Sequence, residues 1–537
     1  MEEASRAWCT AVLSLSLATL LPAQEAPRLG RIDFPTSGRA EAKPAFIRGA
    51  LFLHSFEYDS AARYFRQAQR IDPDYAMAYW GEAMTYTHPI WHEQDAPAAR
   101  AVLNRLAPTR EARRLKASTA REKGWLDAVE ILYGDGTREQ RDTLYSAAMQ
   151  RLATDFPGDP EVRLFLALSL LGLPATGRDI PTYMRAAALA EEVFRENAEH
   201  PGALHYLIHA YDDPVHAPLG LRAARAYGDV APGAAHAQHM TSHIFVSMGM
   251  WDDVERANIA AWQASNHRNG HYTHWLSYGY LQKGRLGDAR RYVQAIIADA
   301  ASDPSPYKLG YMNTMLAGYL VDAEDWGGPL ARYAADSARR AGGGAFSVPA
   351  AALDLAVGMA AERMGDTTGA RRIHAGMSGR TRASRTSAGG HFVPGLDAAE
   401  VMADLLRATI LVTTLQYDSA IVVATGAAER EAALPFEFGP PETIKPPYEL
   451  LGELLLVAQR PKDARRAFDK ALARTPNRSR SVLGMARAHA AAGDVQAGAH
   501  FYARFLANVS AGGQNAAEVR EAEAFLATAE QKAASRH

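Results

Sequence analysis

Apolar residues recur every three or four positions along most of this chain, in runs long enough for helices and separated by short turn signals. Lys445–Pro476 is the clearest case: KPPYELLGELLLVAQRPKDARRAFDKALARTP reads as two amphipathic helices joined by a tight turn. Nothing alternates with the period of two that a half-buried strand requires. The pattern therefore predicts an all-α chain. Near the N-terminus, Ala42–Pro73 has the same layout, and a weaker copy starts at Ser479.

The positions that stay constant between copies carry a packing rule. With Lys445 as position 1, Tyr448, Leu451, Gly452 and Leu455 occupy positions 4, 7, 8 and 11. Ala464, Phe468, Ala471 and Pro476 occupy positions 20, 24, 27 and 32. Small residues at 8 and 20 let antiparallel helices approach, large ones fill the space between units, and proline stops the second helix. The N-terminal copy has Gly49, Phe52, Ala61, Phe65, Ala68 and Pro73 in corresponding places. This pattern, with its period of about 34 residues, resembles the tetratricopeptide repeat. The resemblance implies a right-handed superhelical solenoid of helix-turn-helix units, and a scaffold that binds a protein or peptide rather than an enzyme.

Phasing on small residues divides the chain. Residues 1–23 read as a signal peptide, with an apolar core at Ala11–Leu21. Residues 42–93 hold N-terminal repeats, 94–200 degenerate helical pairs that open on charged helix outside the repeat phase at 94–120, and 201–303 three repeats starting at Pro201, Ala235 and Gly270. Residues 304–433 are degenerate repeats with a basic loop at 380–394, 445–512 are C-terminal repeats, and 513–537 form a capping helix and tail. Each pair leaves an apolar face that only its neighbour can bury, so the units should stack into one array. The leader predicts a periplasmic or secreted protein, and no later run is long and apolar enough to span a membrane.

Composition narrows the chemistry. The 58 basic and 60 acidic residues leave a net charge of −2, which supplies no field to draw nucleic acid. The one cysteine, Cys9, lies in the leader, so thiol catalysis and Cys-ligated metal are not expected. No phosphate-binding loop, dinucleotide fingerprint or HExxH motif occurs.

Histidine is the anomaly. Ten of the eighteen histidines fall between His200 and His274. In repeat register His205, His239 and His274 occupy position 5, His209 and His243 position 9, and His236 and His271 position 2. Asp212 and Asp213 follow at positions 12 and 13. The resemblance implies that these positions line the concave, ligand-holding groove. Two occupants suit such a stripe: a peptide hydrogen-bonded to His and Asp, or a transition metal. For metal, His205, His209, His239 and His243 are expected to converge on one Zn, Cu, Ni or Fe ion, with a carboxylate such as Asp212, Asp213 or Glu82 acting on bound water. His216 lies in a turn that either roofs this site or caps a helix. A secondary constellation, His54, Trp80, Glu82 and His88, falls at inward positions of the N-terminal repeats, and buried Glu82 is expected to find a groove histidine as its partner.

Overall fold

Phe65 displays how the chain builds its repeats. Its ring is fully buried between Gly49 of its own unit and Gly81 of the next, where an added Cβ would stand 2.9 Å and 2.3 Å from ring atoms. Phe468 repeats this between Gly452 and Gly484, at 2.7 Å and 2.3 Å. A side chain at any of these glycines would wedge neighbouring helices apart. The aromatic of one unit thus needs a small residue in two helices, which is the physical content of the repeat pattern.

The structure is a computed structural model that describes residues 27–173, 177–341, 346–389, 392–436, 438–509 and 516–534. The segment read as a signal peptide lies outside these residues. Among them are 26 α-helices and a single two-stranded ladder, Thr87–His88 with Glu93–Gln94. Consecutive helices pack antiparallel into a superhelical solenoid of tetratricopeptide-like pairs. No described helix is long and apolar enough to cross a membrane.

Two local expectations are corrected. The stretch 380–394, read as a loop, is helical as far as Ser387. Two of its arginines are engaged: Arg380 pairs with Asp354, and Arg385 with Asp397 and Glu400. Residues 94–120, read as one charged helix, form the short helices Ala96–Leu106 and Arg110–Lys116, capped by Asp95 and Thr109.

Three histidine-bearing helices lie at the centre: Pro201–Tyr211, Ala235–Ser247 and His271–Gln282. The N-terminal repeats reach the first of them, through His205 Nδ1 to His54 O at 2.6 Å and His54 Nδ1 with Tyr206 Oη at 3.0 Å. From the other side, Trp251 Nε1 donates to Asn477 O at 3.0 Å and Ser479 N–H to Gln282 Oε1 at 3.0 Å. The solenoid therefore curls until both ends grip its middle.

A buried ion network locks the C-terminal grip. Arg478 has no exposed side-chain surface and bonds Asp322 and, at 2.9 Å, Glu449. Lys445 meets Glu449 at 2.9 Å, and Ser481 donates to it at 2.6 Å. Burial opposes charge on Glu449, but Arg478 and Lys445 outweigh it and hold the carboxyl well below its usual range. Arg478→Met should therefore strand two buried carboxylates and cost about 3–5 kcal/mol. Hydrogen exchange across Ser479–Ala491 measures this, and unchanged protection would contradict the lock.

Candidate functional site

The first histidine helix, HYLIHAY within Pro201–Tyr211, is apolar on every side except its imidazoles, and all its residues are buried. The second, Ala235–Ser247, is buried at twelve of its thirteen residues. A helix that is hydrophobic all round belongs inside a protein. The stripe assigned to an open groove is thus enclosed: His205 and His239 have 0% exposure.

These histidines do not meet at one point. They divide into two groups, His205, His209 and His236, and His239, His243 and His271, each with ligand-capable atoms within 4.8 Å of one another. Each group takes positions 5 and 9 of one unit and position 2 of the next, so one geometric unit is repeated by the solenoid. The four-histidine site expected from sequence is corrected for this reason. Residues at i, i+4 on one helix face each other more closely than residues across a pair of packed helices, and position 2 of the following helix leans into the gap.

Hydrogen bonds fix the direction of the rings. His205 Nδ1 donates to the carbonyl of His54 at 2.6 Å, and a carbonyl can only accept. His239 Nδ1 donates to Asn258 Oδ1 at 2.7 Å, while Asn258 Nδ2 donates to Val254 O at 2.9 Å, which sets the amide's orientation. His243 Nδ1 donates to the Asp212 carboxylate at 2.6 Å. A neutral imidazole has one N–H, so the Nε2 atoms of these three rings present lone pairs. His239 and His243 then face each other Nε2 to Nε2 at 3.2 Å, and His205 and His209 at 3.1 Å. His236 Nε2, buried, has no hydrogen-bond partner among the described residues.

Protonation is a poor remedy for that opposition. Burial, with the neighbouring imidazoles, holds His205, His209, His236 and His239 well below the ordinary range. Burial also brings His271 down to about 3 and His274 to about 4. Aromatic rings complete the enclosure: Phe56 lies 4.2 Å from His205, and Trp275 4.3 Å from His243. Phe438, from the proline-rich stretch 434–447 before the C-terminal repeats, covers His243 at 5.3 Å and His209 at 6.5 Å.

The remaining sequence candidates separate. Asp212 orients His243 and accepts from Ser247 Oγ at 3.0 Å. Asp213 binds Arg178 and the turn at Val215–His216, so His216 fastens a helix start and roofs nothing. His274 belongs to neither group and lies beside Tyr311 at 6.0 Å. The secondary constellation does not assemble. Trp80 is a core residue packed on Trp125 at 4.9 Å. Glu82 is held by Arg66, Arg105 and Gln69 rather than by a histidine. His88 sits on the short ladder, stacked on Tyr58 at 4.1 Å.

Sequence reasoning missed a third group, His54, Glu161 and His200. Glu161 accepts from His54 Nε2 at 2.8 Å and His200 Nε2 at 3.2 Å. Burial would raise its carboxyl, but the two imidazoles outweigh that and bring it down to about 2. Direct hydrogen bonds satisfy His54 and Glu161, while His200 Nδ1 is left without a partner among the described residues; the group holds His54 where its carbonyl orients His205. A carboxylate inside the apolar run PEVRLFLALSLL was its available signal. Asn258 and Phe438 carried no comparable one.

No family model matches the chain, and no curated protein does. Human IFIT1, solved as a dimer with m7Gppp-AAAA, aligns at 13% identity over 88% of this chain and 91% of its own, with a TM-score of 0.37. Yeast Tom70 aligns at 13% identity over 92% and 96%, with a TM-score of 0.30. Cut9, from the APC/C hetero-tetramer Cut9–Hcn1, aligns at 12% identity over 91% and 96%, with a TM-score of 0.30. All three are tetratricopeptide-type helical-repeat proteins. At this identity and these TM-scores the likeness carries no argument about this chain.

The lowered histidines set an acid limit on the metal-free protein. The unfolded chain takes up protons below about pH 6.5 that folded His274 and His271 refuse until about 4 and 3. Their contribution is present above 6.5 and lost as pH falls through those values. Thermal unfolding in chelator should show a lower midpoint at about pH 5 than at about pH 7, with a smaller drop in His274→Gln. An equal drop in that variant would contradict the assignment.

Proposed function

We propose that this solenoid is a transition-metal-binding protein whose two tri-histidine groups each hold one ion. One observation carries the reading: His239 and His243 face Nε2 to Nε2 at 3.2 Å with both Nδ1 protons committed to acceptors on the outer edges of the rings, and His205, its Nδ1 proton likewise committed, faces His209 at 3.1 Å. Facing lone pairs repel, and a cation between them turns repulsion into coordination. Carboxylate, amide and carbonyl acceptors behind the rings are what metal-bound imidazoles ordinarily require, since they fix tautomer and raise basicity. Imidazole-only sites suit Zn, Cu, Ni or Fe, and three protein ligands leave a position for water or substrate.

Burial supports metal ions over a peptide as the occupant of this stripe, because His205 and His239 offer a partner no surface. The scaffold role implied by tetratricopeptide architecture then belongs to other surfaces of the solenoid. None of the carboxylates considered as a base is free: Asp212 serves His243, Asp213 serves Arg178 and His216, and Glu82 serves Arg66 and Arg105.

Elemental analysis of the folded chain, purified without chelator or metal-affinity tag, should find about two ions per chain. His239→Ala/His243→Ala should lose one, and His205→Ala/His209→Ala the other. Metal absent after reconstitution would end this reading. Asp212→Asn should weaken only the second site, by about 10–100-fold, although Asp212 follows the helix that carries the first. Competition with a chromophoric chelator measures it, and equal weakening of both sites would contradict the assignment.

A further inference from the structure

The two tri-histidine groups repeat one geometry, but the charges around them differ. Behind the second group stands Asp212, which is 1% exposed. Its carboxylate accepts from His243 Nδ1–H at 2.6 Å and from Ser247 Oγ at 3.0 Å. No guanidinium or ammonium pairs with it among the described residues. The neighbouring Asp213 does have such a partner, Arg178. A buried carboxylate without a counter-cation is costly. An ion on the far nitrogen of His243 supplies the positive charge that Asp212 lacks.

The first group has no such anion. His205 is oriented by a neutral carbonyl, that of His54, at 2.6 Å. Glu57 meets His236 at its backbone N–H, at 3.0 Å, and not at the ring. Glu161, beyond His54, is shared by two other imidazoles, His54 and His200. A cation stands close by instead: the Arg178 side chain, 6% exposed, donates to the carbonyls of His209 at 3.1 Å and of Ala210. Asp213 balances that guanidinium and leaves no negative charge for an ion beside His209.

Charge sets the cost of an enclosed ion. Each unit of charge that no neighbour balances loses its hydration uncompensated. Ions in the two groups also repel each other, since the corresponding rings of His209 and His243 lie 5.9 Å apart. Exchanging one of two dications for a monovalent ion halves that repulsion. Imidazole suits copper, and copper(I) carries a single charge and accepts three ligands.

We propose that the two groups take different ions: copper(I) at His205, His209 and His236, and a divalent ion of the zinc type at His239, His243 and His271, with Asp212 setting the difference. The proposal rests on the metal reading and adds to it the charge of the ion that each group selects.

Crystals of the full chain, loaded without oxygen with one equivalent each of copper(I) and zinc and measured at both absorption edges, test the assignment. Copper should appear at the first group and zinc at the second. The reverse placement, or both metals mixed at each group, would overturn the proposal. No ion at either group would instead remove the metal reading beneath it. In solution, His205→Ala/His209→Ala keeps the second group, and competition with chromophoric chelators gives its affinity ratio of copper(I) to zinc. Adding Asp212→Asn should raise that ratio by about tenfold or more, through weaker zinc binding. A purely structural role for Asp212 would weaken both ions alike, so an unchanged ratio would overturn its part in the selection.

Discussion

Two imidazole nitrogens, each with its ring's proton committed to the far edge, repel when they face each other inside a protein. His239 and His243 stand in that relation at 3.2 Å. Water cannot screen them, and burial opposes an extra proton on His239. Much of the surrounding structure serves to keep them there: Asp212 and Asn258 hold their outer edges, and Trp275 and Phe438 cover their faces. On the proposed metal reading, a cation between these rings would turn that repulsion into coordination by preorganised ligands.

Repetition and closure together produce the site. Repetition places the same imidazoles at positions 5, 9 and 2 of successive units, so one local geometry occurs twice. Closure supplies what a linear array lacks. The N-terminal repeats bring the His54 carbonyl to His205, and the connection before the C-terminal repeats brings Phe438 over His209 and His243. The Arg478 network ties those C-terminal repeats to the third histidine helix and to Asp322. A solenoid ordinarily presents a groove; this one folds over its groove and makes an interior.

That difference explains what sequence could and could not reveal. The all-α repeat was legible because Phe65 and Phe468 impose small residues at Gly49, Gly81, Gly452 and Gly484, a constraint written within one period. The histidine residues were legible for the same reason, as a stripe in register. Their grouping was not, because it depends on how far the start of one helix leans toward its neighbour. Burial was not legible either, since Phe438 and the N-terminal repeats reach the site from more than a hundred residues away. Glu82 was readable as a buried charge, but its partners Arg66 and Arg105 lie on flanking helices rather than in the groove.

Diffraction at the absorption edge of the bound metal tests the central claim most directly. The account predicts two anomalous peaks per chain, one at His205, His209 and His236 and one at His239, His243 and His271, each about 2.0–2.1 Å from the Nε2 atoms. A single peak shared by His205, His209, His239 and His243, or no peak in metal-saturated crystals, would contradict it.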